Sequence, residues 1–230
     1  MKPRDIVFAA FGLVATATFV RLGIWQIERL GERRIVNAQL LARAKTPSVD
    51  PAALPVDTGN AHYRRVRING SYDFDREIVV TTRSRNGSPG VNIITPVRIP
   101  GKDTAVLVNR GWVYAPDGMT VDLSRWREPP NLSAEAYVET FRSRAGTVKA
   151  SSIANAYRWM DRPALSQAFP YPIAPFYLVL IGNAENPPAG VPPRVPVPPL
   201  DEGSHRAYAF QWFSFAAISL IGIILYLRRK

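Results

Sequence analysis

Two long apolar runs, one at each end, restrict what this chain can fold into more than any other feature. Residues 6–25 read IVFAAFGLVATATFVRLGIW, with Arg21 the sole charge. As a helix they span about 30 Å, the thickness of a bilayer's hydrocarbon core. Arg21 lies near one end, where its stem can carry the guanidinium to the headgroups, and Trp25 falls where interfacial aromatics collect. Residues 207–227 read AYAFQWFSFAAISLIGIILYL and run directly into Arg228, Arg229 and Lys230. Two transmembrane helices flanking a central domain are expected. A cleaved signal peptide remains an alternative for the first run, since Lys2 and Arg4 precede it and Ala15-Thr16-Ala17 has the spacing of a cleavage site. Against it, the helical rhythm continues from Gln26 to Ala44 through Ile27, Leu30, Ile35, Leu40 and Leu41.

Charge follows the same division. Residues 46–204 hold 17 Lys and Arg against 15 Asp and Glu, so the flanks carry the other 12 basic and 3 acidic residues of a chain whose net charge is +11. Basic residues beside apolar runs meet lipid headgroups, and this placement argues for membrane lipid and against nucleic acid as partner. The basic terminus after the second run marks a cytoplasmic end. Both termini are therefore expected in the cytoplasm and the middle outside it. Arg29, Arg33 and Arg34 beyond the first run oppose that orientation, although charge rules weaken for so long a loop.

Between the runs the period becomes alternating. Six β-rich segments, 64–72, 77–83, 91–99, 104–113, 136–141 and 175–181, are bounded by Gly, Pro, Asn or Asp and predict a barrel- or sandwich-like α+β domain. Asn86-Gly87 and Pro100-Gly101 are turn dipeptides, the second joining the third and fourth strands. Asp161 and Pro163 predict a short helix over 162–169. Residues 186–199 contain seven prolines and read as an extended strap back to the membrane. The expected organisation is 1–45 for the first helix and its extension, 46–186 for the extracytoplasmic domain, 187–204 for the strap and 205–230 for the last helix.

Chemistry is sparse. The chain has two histidines and no cysteine, and no nucleophile motif is present, so an enzyme is not expected. Asp73 and Asp75 read as solvated residues before a strand, and so does His62. If the last helix begins near His205, then His205, Tyr208, Ala209 and Trp212 form one stripe, and the first helix carries Gly23, Trp25 and Gln26 at the same depth. Small residues Gly12, Ala209, Ala216 and Gly222 permit close helix contact. The stripe reads either as an aromatic belt with an incidental histidine or as a cleft for a large planar apolar ligand with anionic groups. In the second case imidazole would be an axial ligand to iron and arginines would meet the carboxylates.

Several segments, in order along the chain, resemble the Surfeit locus protein 1 family. They are Gly23-Ile24-Trp25-Gln26 with Arg29-Leu30, Arg64-Arg65-Val66 with Gly70, Gly90 through Thr95-Pro96, Leu107-Val108-Asn109-Arg110-Gly111-Trp112-Val113, and His205 through Phe213. The resemblance implies a non-enzymatic assembly factor for haem–copper cytochrome c oxidase in the cell's inner (plasma) membrane. Such a factor would receive haem a and present it to the catalytic subunit. The implied partners are oxidase subunit I and the haem a synthesis machinery. It further implies His205 as ligand to the haem iron, Tyr208, Trp212, Trp25 and Gln26 as neighbours of the cofactor, and Gly111 as a structural backbone position. A scaffold that holds oxidase assembly intermediates without haem is the alternative, and a membrane-tethered enzyme is a more distant one.

Overall fold

The change of period after residue 44 is a change of structure. The structure is a computed structural model that describes residues 3–54, 58–143, 146–150, 155–182, 185–195 and 200–228. Lys2, the terminal Arg229 and Lys230, and residues 196–199 of the strap lie outside the described residues. The chain divides into two compact units, Met1–Gln39 with Pro199–Lys230 and Leu40–Pro198.

The first unit is a helix pair. Helix α1 (Pro3–Ala44) runs unbroken for 42 residues, as expected where no proline follows the first turn. Helix α4 (His205–Arg228) has 24 residues. Both are long and apolar enough to cross a membrane.

The second unit is a closed barrel with additions. Helix α2 (Thr58–Ala61) precedes the strands β1 (Arg65–Tyr72), β2 (Ile78–Arg85), β3 (Ser88–Arg98), β4 (Ala105–Tyr114), β5 (Asn131–Thr140), β6 (Ala156–Tyr157) and β7 (Ile173–Leu180), with α3 (Arg162–Ser166) before the last. The sheet order is β1-β5-β7-β4-β3-β2-β6, and β1 also pairs with β3. That pairing, Ser71 with Arg98 and Tyr72 with Val97, closes β1, β5, β7, β4 and β3 into a ring and removes their free edges. Val66, Ile68, Val97, Val106, Val108, Ala136, Val138, Leu178 and Leu180 fill the interior. On the outer face Ile78, Val80, Ile94 and Leu107 are covered by Met160, Leu165 and Phe169. Burial on both faces is why β4 reads as a continuous apolar run instead of an alternation.

The expected turns are present. Asn86 and Gly87 both have positive φ, +50° and +78°, the combination a two-residue β-hairpin turn needs. The Lys102 N–H donates to the Ile99 carbonyl at 3.1 Å. Asp161 caps α3 by accepting from the Ala164 N–H at 3.1 Å, but the helix stops at Ser166 and not at Phe169. Phe169 precedes Pro170, which disfavours helical backbone there.

Three expectations need correction in this unit. The fifth strand begins at Asn131, five residues early, and the two-residue β6 pairs in parallel with β2. The strap is no plain tether: the Trp112 N–H donates to the Pro193 carbonyl at 2.9 Å, and Arg194 Nη1 donates to Glu128 Oε1 at 3.0 Å. His62 and Asp73 are not simply solvated. His62 Nε2 lies 2.8 Å from Glu139 Oε1, with both side chains largely buried, and Asp73 accepts from the Tyr171 hydroxyl at 2.7 Å. Burial pushes the Glu139 carboxyl upward, but the His62 contact and the Thr140 N–H bring it below the ordinary glutamate value.

A bulge shapes β4. Ile93 pairs with Gly111 and Ile94 with Asn109, leaving Arg110 as the extra residue. Its side chain is fully buried. Nη1 donates to Glu77 and, at 3.3 Å, to the Thr95 hydroxyl; Nε donates to Glu128 at 3.0 Å; and Nη2 donates to the Trp126 carbonyl. Tyr72 and Phe74 lie 5.2 and 5.1 Å from the guanidinium carbon. Four hydrogen bonds and two aromatic faces thus surround the planar cation, the condition under which a charge can be buried.

Candidate functional site

The helix pair is held by a seam of heptad spacing. On α1 the seam runs through Asp5, Gly12, Thr16, Phe19, Gly23, Gln26, Leu30 and Asn37, and on α4 through His205, Ala209, Trp212, Ala216, Ser219, Ile223 and Tyr226. Steps of three and four residues keep one face of each helix toward the other. At Gly12 an added Cβ would lie 2.6 Å from Ile223, and at Gly23 it would lie 2.7 Å from Phe213. Both glycines are therefore close-packing positions of the kind bilayer helices use. The Thr16 hydroxyl donates to Ser219 Oγ at 3.0 Å, Ser219 donates to the Gly12 carbonyl at 3.2 Å, and the Tyr226 hydroxyl donates to Asp5 at 3.1 Å. Gly222, expected at the contact, has nothing within 4 Å of its Cβ position and faces away.

At the barrel-proximal end in sequence, the chain entering α4 is pinned to α1. Asn37 Nδ2 donates to the Leu200 and Asp201 carbonyls at 3.1 Å each. Arg34 grips Glu202 with two hydrogen bonds, 2.7 and 3.0 Å, which hold the Glu202 carboxyl below its ordinary value. The turn that follows delivers His205 onto Gln26. His205 Nδ1 and Gln26 Oε1 are 2.7 Å apart, and Gln26 is buried within the seam. Nε2 of the same ring lies on the side of Gly203, whose Cβ position is 3.7 Å away. Among the described residues this second nitrogen makes no hydrogen bond, and the ring is half-buried.

Of the five residues expected around a cofactor, the structure joins two. Trp25, about 100° around the helix from Gln26, is 41% exposed and lies under the Arg29 guanidinium at 5.7 Å. Tyr208 is 47% exposed. Trp212 stacks on Phe19, with centroids 5.9 Å apart. His205 and Gln26 form the polar centre, Trp212 packs the seam next to it, and Trp25 and Tyr208 are exposed apolar surface. Sequence reasoning missed Asn37, Arg34, Glu202, Gly203 and the Thr16–Ser219 pair. The heptad repeat of small and polar residues through both runs was the signal that could have found the seam.

The chemistry available here is that of a single anchored imidazole. Among the described residues no group of three or more His, Asp or Glu is placed to hold a metal ion. One open nitrogen therefore suits a metal that arrives with its other donors already in place, as iron does in a porphyrin. On the barrel, the cleft between the outer face and the covering segment, lined by Asn92, Asn109, Glu139, Arg142 and Trp159, has a volume of about 180 Å3, below the roughly 300–1,000 Å3 of sites for cofactor-sized ligands, and two open hollows beside Thr82 and Asp50 measure about 340 and 320 Å3.

The sequence model of the SURF1 family matches residues 13–217, a span that includes the barrel, His205 and the seam apart from Asp5, Gly12, Ser219, Ile223 and Tyr226. A SURF1-like protein of Monosiga brevicollis is 28% identical over 240 residues, covering 91% of this chain and 83% of its own length. A SURF1-like protein of Rickettsia felis is 25% identical over 235 residues, covering 100% of this chain and 98% of its own. Surfeit locus protein 1 of Takifugu rubripes is 31% identical over 121 residues, 45% of this chain and 49% of that one.

Proposed function

We propose, since the chain belongs to the SURF1 family, that it serves assembly of the haem–copper cytochrome c oxidase by receiving haem a and presenting it to the catalytic subunit. The observation that carries this reading is the His205 ring, anchored at Nδ1 by Gln26 and open at Nε2. Iron bound to a macrocycle accepts such a nitrogen as axial ligand. Trp25, Tyr208 and Trp212 provide aromatic surface beside it for the porphyrin's apolar body, and Arg29, Arg33 and Arg206 are near enough in sequence to meet its carboxylates. The protein acts as a carrier and not as an enzyme. Its partners are oxidase subunit I and the machinery that makes haem a. It sits in the inner (plasma) membrane by α1 and α4, with both termini in the cytoplasm and the barrel outside.

Ligand chemistry provides the direct test. The full chain, purified in detergent from cells that make haem a, should carry a Soret band. His205→Ala should lose most of that haem, or shift the Soret and α bands of what remains, with the barrel still folded by circular dichroism. Wild-type haem content with an unchanged spectrum in His205→Ala would remove His205 as ligand. A wild-type protein that co-purifies with subunit I and never carries haem would instead favour the scaffold reading. Orientation is tested separately: a reporter after Lys230 should behave as cytoplasmic and one in the Ile99–Lys102 turn as external. The reverse pattern would place the barrel inside.

A further inference from the structure

We propose that Gln26 is the positioning residue of this site, fixing His205 as the Nδ1–H tautomer so that Nε2 keeps its lone pair and can serve as a releasable ligand. The identity of what Nε2 meets rests on the haem reading above. The tautomer itself does not.

A neutral imidazole has one N–H and one lone pair, and the partner of one nitrogen decides which form exists. Gln26 has an oxygen and an amino group to offer. With the oxygen turned to His205, as the 2.7 Å contact has it, Nδ1 must donate and Nε2 is left as the donor of electrons. With the amino group turned there, Nδ1 would accept, the proton would sit on Nε2, and the open side of the ring could no longer bind a metal. A free amide would exchange between the two. Gln26 is not free: it is 8% exposed, between Gly23 and Leu30 on the packed face of α1, and no backbone N–H in mid-helix competes for its oxygen.

The choice of an amide also has a consequence for strength. Histidine ligands commonly give their second N–H to a carboxylate, which pulls the proton and makes the ring more basic and more strongly donating. An amide oxygen carries no charge, so it orients the ring with little increase in donor strength. That suits a protein whose cofactor must leave again. Glutamate at the same position would orient the ring equally well and hold iron more tightly.

Three measurements on the full-length protein in detergent test this. Nitrogen-15 spectra of histidine-labelled protein without haem, with His62 and His205 signals distinguished by His205→Ala, should show His205 protonated at Nδ1. Gln26→Leu should move it toward the Nε2–H form, with helix content unchanged. On titration with ferric haem a, Gln26→Leu should bind about 10- to 100-fold more weakly than wild type. Gln26→Glu should bind more tightly, show a lower reduction potential and release haem more slowly to apomyoglobin. An Nε2–H tautomer in the wild type, or the same tautomer in wild type and Gln26→Leu, would overturn the inference. A wild type in the Nδ1–H form that binds no haem would uphold Gln26's role and sink the haem reading instead.

Discussion

Arg110→Leu should cost the barrel about 3–5 kcal/mol, the usual consequence of leaving a buried charge without its partner. Against a typical total of about 5–15 kcal/mol, this removes a large part of the fold's stability. Arg110 lies fully buried between Glu77 and Glu128. Glu128 keeps Arg194 when Arg110 is gone, whereas among the described residues the one side-chain hydrogen bond left to the Glu77 carboxylate is from the Thr95 hydroxyl, 2.6 Å away. The loss should therefore depend on pH with a definite sign. Burial already pushes the Glu77 carboxyl above its ordinary 4.5, against the lowering by Thr95 and Arg110. An acid whose folded value is raised holds its proton more tightly in the folded state. Its favourable contribution is complete below the ordinary value and is lost as pH rises through the raised one. Removing Arg110 enlarges that rise. Urea melts should show the deficit of Arg110→Leu smallest near the ordinary glutamate value and largest at about pH 8, and Arg110→Leu with Glu77→Gln should recover part of it. A deficit that does not vary with pH would mean that Glu77 is not the group left exposed to the penalty.

Gly111→Glu should reduce the protein to a small fraction of its normal abundance. Two separate costs meet at this position. Gly111 has φ of +154°, in a region that side chains rarely adopt, at a cost of about 1–3 kcal/mol. An added Cβ would also run into the Pro193 carbonyl and come within 2.9 Å of Pro192, so the strap would have to leave the sheet. Leaving would break the Trp112–Pro193 hydrogen bond and the Arg194 contacts with Glu128 and the Arg110 carbonyl. Steady-state level and protease resistance read the effect. Gly111→Ala should be harmful too, because the methyl alone makes the collision. Normal abundance of Gly111→Ala would show that the strap yields without loss.

What could be read from the sequence was what depends on nearest neighbours. Residues 6–25 and 207–227 declare their helices by length alone, Asn86-Gly87 declares its hairpin, and Val66 and Ile68 alternate with Arg65 and Arg67 as one face of β1. What could not be read depended on residues far apart. Nothing in Ala156-Tyr157 marks a strand until β2 lies beside it, and Asn131-Leu132-Ser133-Ala134-Glu135 lacks the β-branched side chains that announce one. Arg110 looks like a surface charge until the bulge turns it inward toward Glu77. His62 looked solvated because Glu139, its partner, lies 77 positions later in the chain. At the helix pair, His205 and Gln26 were both picked out as residues, but that they touch depends on the register of two helices. That register is set by Gly12, Gly23 and Asn37, residues without chemistry of their own.

The contact between Gln26 and His205 spans 179 positions, and this separates the moment the barrel can fold from the moment the pair can form. At about 5–20 residues per second, a ribosome takes between about 10 and 40 s to travel from one residue to the other. During that interval α1 is made but has no partner for its seam. All seven strands are complete by Leu180, so the barrel's own pairings need nothing from α4. A chain interrupted between Arg194 and His205 would keep every strand and the strap's contacts and have no anchored imidazole. On the haem reading proposed above, loading would wait for a finished chain, because an unfinished one lacks the anchored imidazole.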